Sequence, residues 1–171
     1  MTTKDAWISE FRKDRNYGDG GGYLLNEEPG PPMMFLGFSG RDKKVVLLGF
    51  DVSKIGTSKV SRAILRVCCP YSGAHKSCDV DAKPILKPWE ELIVTWENQP
   101  NLGRSVSTTT LEGTHKTDVW YEWDVTPIVN AMLTGKAYGV ALDPQGDYGV
   151  DRDIACRESG DGKEARLVIT V

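Results

Sequence analysis

Apolar and polar residues alternate with a period of two along several short stretches of the chain, as half-buried β-strands require. Within 61–69, Ala63, Leu65, Val67 and Cys69 fall on one face, and Arg62, Ile64, Arg66 and Cys68 on the other. Near the end of the chain, Ala165, Leu167, Ile169 and Val171 oppose Arg166, Val168 and Thr170. Val119, Tyr121, Trp123 and Val125 repeat the pattern and turn Trp120 and Glu122 outward. The run 45–50 is more uniformly apolar, as a central strand covered on both faces would be. Glycines and prolines between these runs supply the turns. One helix is predicted, with Thr126 as its cap, Pro127 at the first position, and Ile128, Val129, Met132 and Leu133 at helical spacing before Gly135. The fold predicted from this pattern is all-β: an antiparallel β-sandwich (jelly roll) with one short helix covering an open end.

Composition adds little to the fold but removes several functions. The 171 residues suit one domain, read as a single β-sandwich module over 1–171 excised from a larger protein. The net charge of −3 comes from both signs scattered along the chain, with no basic stripe, so no nucleic-acid partner is expected. No apolar run approaches the roughly 18 residues a membrane helix needs, so no membrane partner is expected either. The N-terminus lacks a signal-peptide profile. Cys68, Cys69, Cys78 and Cys156 match no zinc spacing. They are either small buried hydrophobes or include one hairpin disulfide, Cys68 to Cys78.

Several segments, taken in order, resemble one family. They are Asn16-Tyr17-Gly18, Leu47-Leu48-Gly49-Phe50-Asp51-Val52-Ser53, Ala63-Ile64-Leu65-Arg66-Val67, the stretch from Trp89 to Pro100, and Trp123-Asp124-Val125-Thr126. Tyr138-Gly139-Val140-Ala141-Leu142, Arg157-Glu158 and the segment from Ala165 to Val171 complete the set. The chain is similar to the DNRLRE domain, also classed as a family of carbohydrate-binding modules. That resemblance implies a β-sandwich module appended to an extracellular enzyme or surface protein, with some members binding polysaccharides such as alginate. Two positions depart from the pattern: Gly49 stands where the family carries a basic residue, and Cys156 where a small residue is commoner.

No catalytic motif accompanies the two histidines, His75 and His115, which lie in polar turn-like segments, and no catalytic residue is assigned. A spatial pair of carboxylates remains open. Among the five tryptophans, Trp123 and Trp96 are assigned to the core, while Trp7 is undecided. Trp89, after Pro88 in a polar stretch, and Trp120 are assigned to the surface as platforms for sugar rings. Asn16 and Tyr17, with Arg157 and Glu158, are polar anchors with two readings. They hydrogen-bond a sugar, with Arg157 forking onto a uronate carboxylate, or they pin loops through backbone contacts. Asp143, Asp147, Asp151 and Asp153 concentrate oxygen donors suited to a structural calcium, or form a solvated acidic loop. The function expected is a non-catalytic module that binds a polysaccharide or oligosaccharide, extracellular or at the cell surface, tethered to a catalytic or surface-anchoring domain. The alternative is a structural or adhesive spacer that contacts protein.

Overall fold

The computed structural model describes residues 1–20, 32–56, 59–71, 76–113, 115–146 and 151–171. Among the described residues ten strands carry the fold: β1 Lys4–Ser9, β2 Met33–Ser39, β3 Asp42–Gly49, β4 Arg62–Tyr71, β5 Cys78–Pro84, β6 Ser107–Leu111, β7 Thr117–Asp124, β8 Val140–Pro144, β9 Arg152–Ala155 and β10 Arg166–Thr170. They form a seven-stranded sheet in the order β6-β5-β8-β3-β2-β9, with β1 also on β3, and a three-stranded sheet β10-β4-β7. Every pairing is antiparallel, and the two sheets make the expected sandwich.

The alternation seen in the sequence becomes the main core. Ala63, Leu65, Val67 and Cys69 of β4 and Trp123 of β7 face Val46, Leu48, Val80, Ala82 and Leu142 of the large sheet. The indole N–H of the fully buried Trp123 donates to the Val80 carbonyl at 2.8 Å and so joins the two sheets. On β3, Val46 and Leu48 enter this core, while Val45 and Leu47 enter a second cluster on the outer face. The segment after β5 folds back to cover that face with Ile85, Trp89 and Val94. The continuous apolar run is thus a central strand covered on both sides.

The helix α1, Thr126–Leu133, has Pro127 in its first turn as expected. Its start differs from the expectation, because Thr126 is the first helical residue rather than the cap. Asp124 accepts the Thr126 amide and hydroxyl at 3.0 and 2.6 Å, and the Thr126 hydroxyl oxygen accepts the Ala63 amide at 2.9 Å. The threonine therefore ties the helix to β4. All four cysteines are free thiols. Neighbours on a strand point to opposite faces, so Cys69 enters the main core, against which Cys78 also packs, while Cys68 points away from it. The hairpin disulfide has no geometric basis, and the buried-hydrophobe reading is the one found.

Candidate functional site

The polar anchors singled out in the sequence do come together, on the N-terminal side of the sandwich. The Asn16 side-chain amide donates to the carbonyls of Glu91 and Val94 at 2.8 and 2.7 Å, and its oxygen accepts the Gly18 amide at 3.2 Å. A Cβ on Gly18 would stand 1.9 Å from the Glu91 carbonyl oxygen, so this close approach of two backbones requires glycine. Tyr17 is buried and stacks on Trp7, with ring centroids 3.8 Å apart and an interplanar angle of 16°. Arg157 forks onto Glu91 at 3.0 and 2.9 Å and meets Glu158 at 2.8 Å, while its amide donates to Asp5 at 2.9 Å. Asn16, Arg157 and Glu158 therefore build a clasp joining β1, the 16–18 turn, the loop at 91 and the turn after β9. Each of these side chains meets a protein partner, while Glu158 Oε2 is buried without one.

Carboxylate oxygens of Asp5, Glu91 and Glu158 lie within 4.8 Å of one another, the only such convergence among the described residues. A hard cation uses donors of this kind, but here Arg157 already supplies the positive partner. Burial pushes the Asp5 carboxyl up to about 7; the Arg157 amide opposes that shift, and the charges of Glu158 and Glu91 add to it. Three of the four calcium donors expected from the sequence lie among the described residues. Asp143 on β8 is held by Lys43 and Lys83 at 2.6 and 2.5 Å, and Asp151 by Lys44. Asp153 lies on β9, which is not a neighbour of β8 in the sheet; burial raises its carboxyl to about 6, Asp151 adds to the rise, and Lys44 opposes it. Asp147 and His75 lie outside the described residues.

Trp89 departs from its assignment to the surface. It is 4% exposed within the second cluster, its indole N–H donates to the Tyr138 carbonyl at 3.2 Å, and the Lys4 ammonium sits 4.4 Å from its ring centroid. Trp96 packs at the margin of the same cluster, so its assignment to the core stands. Lys4 faces Gly49 across the β1–β3 pair, and a Cβ on Gly49 would come within 2.5 Å of the Lys4 Cγ. The Lys4 side chain thus crosses Gly49 and is directed onto Trp89.

Trp120 is half-buried and points to the outer face of its sheet, where it meets residues of two neighbouring strands. On the outer face of the β10-β4-β7 sheet, Arg166, Arg66 and Glu122 lie side by side across three strands, followed by Val168, Ile64 and Asp124. Trp120 pairs with Cys68 one step along, and Arg62 pairs with Thr170 at the other end. The guanidinium carbons of Arg66 and Arg166 lie 5.3 and 4.6 Å from the Trp120 ring centroid. Arg62, Ile64, Arg66, Glu122, Val168 and Thr170 line a shallow depression of about 290 Å³. A larger cleft of about 750 Å³ lies between Phe50 to Ser53 and the end of α1, lined by Met132, Leu133, Ala137 and Tyr138. That cleft offers mainly apolar surface, the Phe50 and Tyr138 rings included, and its one acidic group, Asp51, already accepts the Ser53 amide and hydroxyl. The smaller depression sets branched alkyl groups beside guanidinium donors, and its Arg66 also reaches the neighbouring Trp120 ring.

The signal for this face was present as alternation: Arg62, Ile64 and Arg66, Trp120 and Glu122, and Arg166 and Val168 each read as outward. Their union depends on the strand order, which joins residues 100 positions apart.

The family model for carbohydrate-binding module family 96 matches residues 1–171, the whole chain. No curated protein matched the chain. The chain belongs to carbohydrate-binding module family 96.

Proposed function

We propose that this member of family 96 binds a carboxylate-bearing polysaccharide across the outer face of β10-β4-β7. It catalyses no reaction on that ligand and holds an attached enzyme, or a cell surface, against it. The observation carrying this reading is the placement of Arg66 and Arg166 beside the half-buried Trp120, with Arg62 further along the same sheet face. A uronic acid has an apolar C–H face, which packs on indole, Ile64 and Val168, and a carboxylate, which a guanidinium grips through two parallel N–H donors. Three arginines lie on this face, and of the carboxylates near them Asp124 is engaged at the helix start and Asp118 by Lys163. In this reading the parent protein works outside the cell or on its surface, where such polymers occur.

Binding through a shallow open face is weak for each contact and gains through effective concentration on a repeating polymer. A dissociation constant between about micromolar and millimolar is expected, roughly −8 to −4 kcal/mol. The test is affinity electrophoresis of the purified chain through gels containing polyuronates or neutral glycans, with calcium and again with chelator. Retardation by polyuronate that is lost in Trp120→Ala supports the proposal. Loss in chelator would place the calcium expected from the sequence at or beneath the site. Equal mobility in every gel would favour a spacer that contacts protein.

A further inference from the structure

We infer that Glu122 is a built-in competitor for the ligand's carboxylate at Arg66 and thereby sets how strongly the face prefers acidic over neutral glycans. The inference rests on the proposal that this face is the binding surface. Glu122 Oε1 stands 2.9 Å from Arg66 Nε, and the two side chains are 57% and 38% exposed. Both side chains are thus substantially exposed although the Arg66 Nε itself is covered, and an ion pair at such a surface is weak and exchangeable. Its position matters more than its strength. Arg66 is the middle residue of the row Arg166, Arg66, Glu122, and it borders both the Trp120 ring and the depression.

The other arginine beside Trp120 is differently placed: one Arg166 Nη donates to the Gly162 carbonyl at 2.7 Å, so a backbone oxygen orients it without neutralising it. The other acids near this face are also engaged, Asp118 by Lys163. The Asp124 carboxylate is lowered below its usual range by the Thr126 hydroxyl and amide, and it serves the start of α1. Glu122 is thus the acid on this face whose recorded side-chain partner is the arginine itself. An incoming uronate carboxylate takes the place of the Glu122 carboxylate on Arg66, one anion exchanging for another. A neutral sugar leaves the internal pair intact and forgoes the charge-assisted hydrogen bonds. Removing the negative charge at 122 frees Arg66 for the ligand and removes a repulsive neighbour, and both effects act only on anionic ligands.

The test compares wild type, Glu122→Gln and Trp120→Ala against polygalacturonate, polymannuronate and fully methyl-esterified polygalacturonan, by calorimetry or affinity electrophoresis at low and high salt. Glu122→Gln is an exposed near-isostere, and its folding is checked by thermal melting. We expect Glu122→Gln to bind polyuronate about fivefold more tightly, taking the upper worth of an exposed ion pair at tenfold per 1.4 kcal/mol. Its affinity for the esterified polymer stays unchanged, and the gain shrinks at high salt. If Trp120→Ala loses binding while Glu122→Gln binds polyuronate no better than wild type, the role of Glu122 is overturned and the binding face stands. If Trp120→Ala binds as wild type does, or wild type retains no polyuronate, the face itself is wrong and the inference falls with it.

Discussion

Replacing Trp89 by alanine should unfold much of the stability of this domain while sparing any surface function. The ring is 4% exposed among Ala6, Ile8, Val45, Leu47 and Ala141 on the outer face of the large sheet. Truncating a buried tryptophan to alanine costs about 3–5 kcal/mol in transfer and cavity terms. The Tyr138 carbonyl also loses its indole donor, and the Lys4 ammonium loses the ring beneath it; each is worth about 1 kcal/mol. These contributions overlap, since one cavity exposes the whole site, and about 4 kcal/mol is the expected total. Against a typical domain stability of 5–15 kcal/mol, that leaves a protein near the edge of folding at 37 °C. Urea unfolding followed by far-ultraviolet circular dichroism measures it, with the midpoint falling and the slope unchanged. A loss below about 1 kcal/mol, accompanied by loss of glycan retention, would refute the reasoning and return Trp89 to the surface.

Asp5 gives a pH dependence of definite sign. Its carboxyl rises from 3.8 to about 7 on folding, so its contribution is fully present below pH 4 and is lost as pH climbs through 7. Asp5→Asn should flatten that decline and exceed wild type at pH 8; parallel stability curves from pH 4 to 8 would contradict the clasp as described. The thiols of Cys68, Cys69 and Cys156 are fully buried, and burial pushes them up to about 11, 12 and 12. They should resist iodoacetamide at pH 8 until the chain unfolds, leaving the half-buried Cys78 as the first to react; rapid native labelling of more than one thiol by mass spectrometry would show the core to be wrong.

What the sequence discloses and what it hides follow from distance along the chain. Burial on one face is a local, repeating property, so β4, β7, β10 and the double-sided β3 are all visible as patterns of two or as a continuous apolar run. The helix is visible too, but its start is misread, because the role of Thr126 depends on Asp124 and on the Ala63 amide of another strand. Trp89 is misassigned for a similar reason. Pro88, Glu90 and Glu91 make its neighbourhood polar, and only the return of the segment over β1, β3 and β8 buries it. Asn16 and Arg157 are recognisable as a group, yet their pinning role depends on Glu91, far from both in sequence. The arginine face is the extreme case, since nothing local to Arg66 announces that Arg166 and Trp120 flank it.

The most direct test of the central claim is a ¹H–¹⁵N titration of the whole chain with polyuronate oligosaccharides, reading the five indole N–H signals and the arginine Nε–H signals together. Movement of Trp120, Arg66, Arg166 and Arg62 is expected, with Trp89 and Trp123 unmoved. Shifts confined to Trp89 and Arg157, with the β10-β4-β7 face silent, would contradict it.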